Sequence, residues 1–469
     1  MRLITFGVML ATLCENTWAG EGHEFPRGTL VERVVCRDDP SESYALYLPS
    51  SYAPDKRWPI VYALDARSRA LVPAELLREG AERYGFIVIS SYSSRSDEDS
   101  DPNAKALGAM WRDAHTRFSL DDKRAYAAGF SGTARAAWRM ADLAPGRLAG
   151  VIACGAGFAP DRPPRAGLSF SVFGVAGDED FNYQELQLLD ETLDALGVPH
   201  RIESFEGPHD WPPAALLGDA LAWLEVRGMQ EDRRARDAAL AAALLARWQG
   251  EAAELERAGR AFEAHARYAG LARDFDGLAD VAAARDAAQR IRGSAAYADD
   301  RRVRLKWRKR EQEYVAHAPR ALARLAVDDA VSSLKQALSE LRVADLRRRA
   351  ERAGDREERL SARRSLAQLF VQTAFYLPRT MRQRGERGRA ALLLAVAAEV
   401  RPEDPSVWYN LACDRAQAGW KQDALQALER AIAAGFTDAT RIESEPDLAP
   451  LHGEARYREL LGRLTPTKP

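Results

Sequence analysis

The sequence is poor in cysteine, with only four in 469 residues. Cys14, Cys36, Cys154 and Cys413 lie far apart, and no two of them form a Cys-x-x-Cys pair. Small disulfide-stabilised folds and cysteine-rich zinc sites need closely spaced cysteines, so this spacing excludes both classes. Cys154 and Cys413 lie within apolar runs, which predicts small buried side chains.

The sequence also lacks an excess of charge of either sign, and it has no long internal hydrophobic run. Its 67 Lys and Arg residues balance 69 Asp and Glu residues, for a formal net charge of -2. Proteins that chiefly bind nucleic acid carry a basic excess, so we expect no nucleic-acid partner. The 46% hydrophobic and 29% charged residues are typical of globular domains. A chain of 469 residues predicts two or three such domains.

The one apolar run near a terminus covers residues 3–14 and follows a positive Arg2. Thr17 and Ala19 then place small residues at the two positions that a signal peptidase recognises. Residues 1–19 therefore resemble a secretory signal peptide that is cleaved after Ala19. They predict an exported protein, periplasmic or secreted, without stable membrane insertion after cleavage. The alternative is a cytoplasmic protein in which this run forms a buried strand.

Short apolar runs alternate with helical patterns up to residue 228. The runs predict eight strands, at residues 29–36, 43–49, 59–65, 86–92, 124–130, 148–155, 169–177 and 201–206. The helical patterns cover residues 74–84, 104–118, 134–143, 183–196 and 214–226. From the third strand on, the runs show little alternation, as in strands buried on both faces of a parallel sheet. The order predicts a doubly wound, mostly parallel α/β sheet with an antiparallel hairpin at one edge.

The composition changes after Gly228, where Ala, Arg, Leu and Glu become dominant and the strand patterns stop. Helical periodicity continues nearly to the end of the chain, which predicts an all-α region joined at residues 230–236. We divide this region into residues 230–360, with plain helices or degenerate repeats, and residues 361–469, with clearer repeats. The α/β part then covers residues 20–229.

The clearer repeats rest on small and apolar positions that recur after 34 residues. These positions are Ala390, Leu394 and Ala397, followed by Ala424, Leu428 and Ala431. With Trp408 in the first helix and Gly419 in the turn, the last unit resembles a tetratricopeptide repeat. Arg415 and Phe436 depart from that pattern, and Pro378 interrupts the first helix of the preceding unit.

The strongest functional signal is the segment Gly129-Phe130-Ser131-Gly132-Thr133. It places a serine between an apolar strand and a helical pattern, with glycines beside it. A nucleophilic serine needs such a sharp, strained turn to project its hydroxyl above the sheet. The Gly132 N–H begins the helix and is predicted to receive a developing oxyanion. Thr133 departs from the pattern, because Gly or Ala is usual at that close-packed position.

A catalytic serine also needs a histidine base and a carboxylate that orients it. Asp180 ends a Gly-x-x-Asp turn directly after a predicted strand, and Asp178 in the same turn is the alternative. His209 lies in a Gly-x-His turn after the last strand. Both turns lie where open α/β sheets place their sites. His23, His115 and His200 lie near the N-terminus, in mid-helix and at the start of a strand, so we favour His209.

A second oxyanion donor is expected in the loop after the third strand. We predict that the Arg67 N–H supplies it, with the Ala66 N–H as the alternative. The His-Gly pair that is common in this loop is replaced by Asp65-Ala66. Asp65 either holds the loop or meets a cationic group of the substrate.

These motifs together resemble α/β-hydrolases of the esterase group that includes polyhydroxybutyrate depolymerases, feruloyl esterases and esterase D. The resemblance covers residues 43–228, under half of the chain, and rests on the segments 129–132, 177–180 and 207–212. It implies a serine hydrolase that cleaves carboxylic esters through an acyl-enzyme, and such a mechanism needs no metal and no cofactor. The substrate is expected to be a small or polymeric ester.

Two other functions are compatible with the same residues. A serine peptidase of the prolyl-oligopeptidase type shares the order of triad residues but normally adds a propeller domain. A scaffold with a vestigial hydrolase fold would use only the repeats to bind a protein partner. We expect the repeats to recruit a partner or a polymeric substrate, and a chain ending near residue 230 to fold and retain basal activity. The alternative is that the helices pack over the hydrolase core or form a dimer contact.

Overall fold

A computed structural model describes residues 25–96 and 101–464. The predicted signal peptide at residues 1–19 lies outside the described residues. The described part of the chain forms one β-sheet with its covering helices, followed by a region built of helices alone. No helix in residues 25–96 or 101–464 has both the length and the apolar character needed to cross a membrane.

One eight-stranded sheet organises the first half of the chain. Its strands are β1 Leu30–Val35, β2 Ser43–Tyr47, β3 Trp58–Leu64, β4 Ile87–Ser91, β5 Leu120–Phe130, β6 Gly150–Cys154, β7 Ser171–Gly177 and β8 His200–Phe205. They lie in the order β1-β2-β4-β3-β5-β6-β7-β8. Strand β2 is antiparallel to β1 and β4, and all other neighbours are parallel. The prediction of a mostly parallel α/β-hydrolase sheet with an antiparallel edge hairpin is confirmed.

Five helices cover both faces of this sheet. They are α1 Leu71–Tyr84, α2 Asn103–Arg117, α3 Gly132–Leu143, α4 Tyr183–Leu196 and α5 Ala214–Gln230. Helices α1 and α5 pack on one face, and α2, α3 and α4 pack on the other. All residues of β2, β4, β6 and β7 are buried as a result. Because β3 to β8 run parallel, the loops after β3, β5, β7 and β8 meet at one edge of the sheet.

The second half of the chain contains thirteen α-helices in residues 238–464. They are α6 Ala238–Arg257, α7 Ala261–Asp274, α8 Ala282–Arg292, α9 Ala295–Leu322, α10 Ala330–Glu340, α11 Val343–Arg352, α12 Arg356–Val371, α13 Leu377–Gln383, α14 Arg387–Val400, α15 Pro405–Gln417, α16 Lys421–Ala433, α17 Ala439–Ser444 and α18 Ala455–Gly462. The prediction of an all-helical C-terminal region is confirmed.

Helices α15 and α16 form the pair that the repeat pattern predicts. Gly419 lies between them with a φ of 81°, a left-handed conformation that favours glycine. The recurring positions in α14 and α16 are all buried: Ala390, Leu394, Ala397, Ala424, Leu428 and Ala431. Pro378 lies in the first turn of α13, directly after a π-helical turn at Gln372–Tyr376. The assignment of these helices as tetratricopeptide repeats stays a prediction.

The hydrophobic core continues across the junction near residue 230. Trp223 of α5 donates a hydrogen bond of 2.9 Å from Nε1 to Asp274 of α7, and both side chains are buried. Trp248 of α6 and Phe275 are fully buried in the same apolar cluster as Trp223. A chain ending near residue 230 would expose this cluster to water. The packing therefore favours the alternative in which helices pack over the hydrolase core, and it disfavours an independently folded first half.

Candidate active site

Ser131 occupies the turn between β5 and α3. Its φ of 57° and ψ of -127° place a non-glycine residue in a strained backbone conformation. The Ser131 N–H donates to the Cys154 carbonyl oxygen at 2.8 Å, which ties the turn to the neighbouring strand β6. Strain of this kind persists only where the surrounding structure holds it, and it is typical of functional sites.

Two glycines allow the chain to pack closely around Ser131. A Cβ at Gly129 would overlap the backbone carbonyl of Thr133, because strand and helix approach each other there. A Cβ at Gly132 would overlap the side chain of Ser96, in the loop after β4. Steric contacts therefore require the small residues Gly129 and Gly132 that the sequence pattern contains.

Thr133 is accommodated through its hydroxyl group. The side chain is fully buried, and its Oγ1 accepts a hydrogen bond of 3.0 Å from the Phe130 N–H. The same hydroxyl lies 2.6 Å from the Leu64 carbonyl oxygen, to which it donates. Thr133 thus links β5 and α3 to the end of β3. Thr133 is larger than the Gly or Ala that is usual here, but its hydroxyl group makes hydrogen bonds that Gly and Ala would lack.

The structure brings Ser131, His209 and Asp180 together at the carboxyl edge of the sheet. His209 Nε2 lies 3.0 Å from Ser131 Oγ, and His209 Nδ1 lies 2.8 Å from Asp180 Oδ2. Asp180 is fully buried, whereas 19% of the His209 side chain is exposed. The arrangement orients one ring nitrogen toward the serine hydroxyl and the other toward a carboxylate, as nucleophilic catalysis by serine requires.

Asp178, the alternative acid, contacts other groups. Its Oδ1 accepts a hydrogen bond of 3.1 Å from the Gly207 N–H, and its Oδ2 accepts one of 2.8 Å from Arg356 of α12. Burial raises the pKa of Asp178 above its ordinary value. Because Asp180 alone of the two lies against His209, the geometry favours Asp180 as the orienting carboxylate.

Sequence reasoning missed the residues that hold the triad from its sides. The His209 ring contacts the rings of Phe130 and Phe181, with centroid distances of 4.7 and 4.3 Å. The Asn182 N–H donates to Asp180 Oδ1 at 2.7 Å, and the Asn182 side chain donates to the Gly155 carbonyl at 2.7 Å. In the sequence, only position pointed to Phe130 and Phe181, since each directly adjoins a predicted triad residue.

In the loop after β3, the backbone groups of Arg67 and Ala66 have different hydrogen-bond partners. The Arg67 N–H donates to Asp65 Oδ1 at 2.8 Å, so this donor is already engaged within its own loop. The Ala66 carbonyl accepts a 3.1 Å hydrogen bond from the N–H of Ser96, and the Ser96 side chain lies against Gly132. The bond to Asp65 disfavours the Arg67 N–H as the second oxyanion donor, and its alternative, the Ala66 N–H, stays a prediction.

Asp65 holds this loop through several hydrogen bonds to its carboxylate. Besides Arg67, the donors are the Arg69 N–H at 3.1 Å, the Arg69 guanidinium at 2.9 and 3.1 Å, and Trp211 Nε1 at 2.8 Å. Burial raises the pKa of Asp65, but the bonds from Arg69 and Trp211 outweigh it and bring the pKa below its ordinary value. An ionised Asp65 thus organises the loop, which is the first of its two predicted roles.

Two other histidines that were considered as the catalytic base lie away from the Ser131 turn. His115 stacks on Trp111 at a centroid distance of 4.4 Å, and His200 is buried with its Nδ1 2.7 Å from the Val198 carbonyl oxygen. His23 lies outside the described residues. In residues 25–96 and 101–464, no group of three or more His, Cys, Asp or Glu side chains is arranged to hold a metal ion.

Comparison with known proteins gives matches at the level of structure. No family model matches the chain, and no curated protein matches it. Three solved structures similar to part of this chain are an S-formylglutathione hydrolase from Staphylococcus aureus, an esterase from Pyrobaculum calidifontis and a feruloyl esterase module from Clostridium thermocellum.

The three structures align with a similar share of this chain. The first shares 15% identity at a TM-score of 0.33, covering 43% of this chain and 99% of its own. The second shares 14% identity at a TM-score of 0.36, covering 43% and 86%. The third shares 16% identity at a TM-score of 0.33, covering 41% and 86%.

Proposed function

We propose that this chain is a serine hydrolase that cleaves a carboxylic ester through an acyl-enzyme. The observation that carries the proposal is the continuous hydrogen-bonded series Ser131–His209–Asp180, built on a strained turn at the carboxyl edge of the sheet. Nucleophile, base and orienting acid each come from a different loop, so their contact depends on the whole sheet. A turn that served only structure would not need a histidine between a serine hydroxyl and a buried carboxylate.

In the first half-reaction, Ser131 Oγ attacks the carbonyl carbon of the ester while His209 Nε2 accepts the hydroxyl proton. Asp180 accepts a hydrogen bond from His209 Nδ1–H and stabilises the imidazolium that forms. The Gly132 N–H, together with that of Ala66, receives the oxyanion, and each donor contributes about 3 kcal/mol to lowering the barrier. His209 then protonates the departing alkoxide, the C–O bond breaks and the alcohol leaves.

In the second half-reaction, water attacks the acyl carbon and gives its proton to His209. The same N–H groups receive the second oxyanion. The tetrahedral intermediate collapses, His209 returns a proton to Ser131 Oγ, and the carboxylic acid product leaves. The chain's own residues carry every step.

The two alternatives receive less support. A prolyl-oligopeptidase-type enzyme is disfavoured because residues 238–464 are helical and contain no propeller blades. A vestigial fold is disfavoured because Ser131, His209 and Asp180 keep hydrogen-bonding distances of 3.0 Å or less. A decayed site would be expected to lose at least one of these contacts.

The test compares Ser131→Ala with Ser339→Ala, which changes an exposed serine on α10. Wild type and Ser339→Ala should hydrolyse a short p-nitrophenyl ester and react with a fluorophosphonate probe. Ser131→Ala should do neither while retaining its circular dichroism spectrum. Faster cleavage of a peptide anilide than of the ester would favour the peptidase. Absence of probe labelling in the wild type would favour the scaffold.

Two further parts of the proposal concern location and recruitment. We propose export with cleavage after Ala19, supported by the N-terminal sequence, and recruitment of a protein partner or polymeric ester by the helical region. Protein purified from its native host should then begin at Gly20. An intact Met1 in cytosolic material would contradict export.

A further inference from the structure

Helix α12 of the C-terminal region directly contacts the turn that carries Asp180. Arg356, in the first turn of α12, donates a 2.8 Å hydrogen bond from Nη2 to Asp178 Oδ2. Arg364, two turns further along the same helix, donates a 2.9 Å bond from Nη1 to the Asp178 carbonyl oxygen. Arg363 forms an ion pair with Glu179. Three arginines of one helix therefore hold two consecutive residues that immediately precede Asp180.

The contact continues from Asp178 to the loop that carries His209. Asp178 Oδ1 accepts a 3.1 Å hydrogen bond from the Gly207 N–H, and the Glu179 N–H donates to the Gly207 carbonyl at 3.0 Å. A Cβ at Gly177 would overlap the Gly207 carbonyl, so the two loops lie in direct contact. A displacement of Asp178 would therefore move the acid and the base relative to each other.

Arg364 is itself held from several sides. It is 3% exposed, and its Nε lies 3.0 and 3.2 Å from the two carboxylate oxygens of Glu311 on α9. Its guanidinium lies over the Tyr183 ring, 4.6 Å from the centroid, at the start of α4. Gln184 donates to Glu311 at 3.2 Å. A buried ion pair of this kind fixes geometry because removing one partner leaves an uncompensated charge.

We propose that Arg356 and Arg364 are positioning residues for the proposed ester hydrolysis, acting through Asp178. The inference rests on the proposed function and extends it, because it makes the helical region part of the catalytic apparatus. The two arginines fix the Asp178 backbone and side chain, and Asp178 fixes the spacing between the Asp180 turn and the His209 loop. Neither arginine contacts the triad, so their effect should fall on turnover and spare substrate binding.

The main variant is Arg356→Gln, because 40% of the Arg356 side chain is exposed, so the substitution removes a partly solvated cation and no tightly packed side chain. The matched control is Arg359→Gln on the same helix, where Arg359 donates to the backbone carbonyls of Ala353 and Gly354. We expect Arg356→Gln to lower kcat for a p-nitrophenyl ester three- to tenfold with KM unchanged. Arg359→Gln should leave both constants unchanged.

A double-mutant cycle separates positioning from general destabilisation. In an Asp178→Asn background, Arg356→Gln should cause little further loss of kcat, because the shared contact is already broken. At the buried position, Arg364→Lys should retain more kcat than Arg364→Met, since lysine keeps one donor for the Asp178 carbonyl. Additive losses in the cycle, equal kcat for both Arg364 variants, or an effect on KM alone would each overturn the inference.

The rate of Ser131 labelling by a fluorophosphonate distinguishes failure of this inference from failure of the proposed function. If wild type and Arg356→Gln are labelled at equal rates, the positioning role is wrong and the serine hydrolase stands. If the wild type shows no labelling that depends on Ser131, the proposed function fails and the positioning role fails with it. Slower labelling of Arg356→Gln, with normal labelling of Arg359→Gln, supports both.

Discussion

The indole Nε1 of Trp211 donates a hydrogen bond of 2.8 Å to Asp65 Oδ2, and both side chains are buried. Trp211 lies two residues after His209, whereas Asp65 opens the loop that contains Ala66. This single bond therefore joins the loop of the proposed base to the loop of the proposed oxyanion donor. The Trp211 ring also packs on Phe130 at a centroid distance of 5.6 Å, directly before Ser131.

Asp65→Asn should destabilise the protein in a pH-dependent way. The native pKa of Asp65 lies below its ordinary value, so the ionised group stabilises the folded state above about pH 4, the range of an unperturbed Asp. That contribution is lost as the pH falls through the native pKa. We expect Asp65→Asn to lower the free energy of unfolding by about 2 kcal/mol at pH 7, the scale of a hydrogen bond to a charged group.

Urea unfolding of wild type and Asp65→Asn between pH 3 and pH 8 measures this difference. The gap should narrow below about pH 4, because the Asp65 carboxylate of the unfolded wild type is protonated there while that of the folded protein is still ionised. Trp211→Phe serves as a partial control, because it removes one donor and keeps the Asp65 charge. A gap that stayed constant down to pH 3 would show that the charge of Asp65 does not carry the effect.

Thr133→Val should be far more damaging than Thr133→Ser. Valine preserves the shape but leaves the buried Phe130 N–H and Leu64 carbonyl without their hydroxyl partner. An unsatisfied buried polar group costs about 1–3 kcal/mol. Thr133→Ser keeps the hydroxyl and should stay within about 1 kcal/mol of the wild type, the cost of a small loss of packing. Thermal unfolding and esterase assays of both variants provide the comparison, and equal stability would remove the hydroxyl from the explanation.

Asp180→Asn should abolish most of the turnover while preserving the fold. An amide in this position holds the imidazole in the wrong tautomer, and such a change lowers kcat about 10⁴-fold in a triad. Asp178→Asn should cost no more than about tenfold, since Asp178 does not contact the His209 ring and a lost positioning bond of about 1.4 kcal/mol corresponds to that factor. Steady-state kinetics with a p-nitrophenyl ester rank the two, and the reverse ranking would assign the acid to Asp178.

A chain covering residues 20–230 should be insoluble or inactive. It would expose Trp223, which is fully buried against α7, together with the apolar cluster that extends through Trp248 and Phe275. Each such side chain contributes about 1.5–3 kcal/mol when buried. It would also lose the α12 contacts to Asp178.

Cleavage of the full-length protein at a protease site inserted after Ala235 is the matched control. Both pieces then fold together before the chain is cut, so they should remain associated in gel filtration and keep esterase activity. A soluble, active fragment ending at residue 230 would contradict the shared core and would leave recruitment as the main role of the helices.

The predicted sheet and triad residues follow from local pattern and from one geometric rule. Strands buried on both faces leave uninterrupted apolar runs, and parallel strands bring their carboxyl ends to one edge. Ser131 directly follows its strand, and Asp180 and His209 lie in the turns after theirs, so the sequence alone was enough to predict that they would meet. The choice between Asp178 and Asp180 depends on the directions of their side chains. Because both residues belong to the same turn, the sequence does not show which of them points toward His209.

The fold class, the serine turn and the loops that meet around it could be predicted from the amino-acid sequence, because they depend on periodicity and on the steric needs of short segments. The hydrogen bond of the Arg67 N–H, the fit of Thr133 and the contact of α12 with the acid turn depend on tertiary packing. Arg364 and Asp178 are separated by 186 positions in the chain. An arginine on a helix is usually solvated, so its pairing with a distant turn follows from the packing of the whole chain and leaves no local pattern to find.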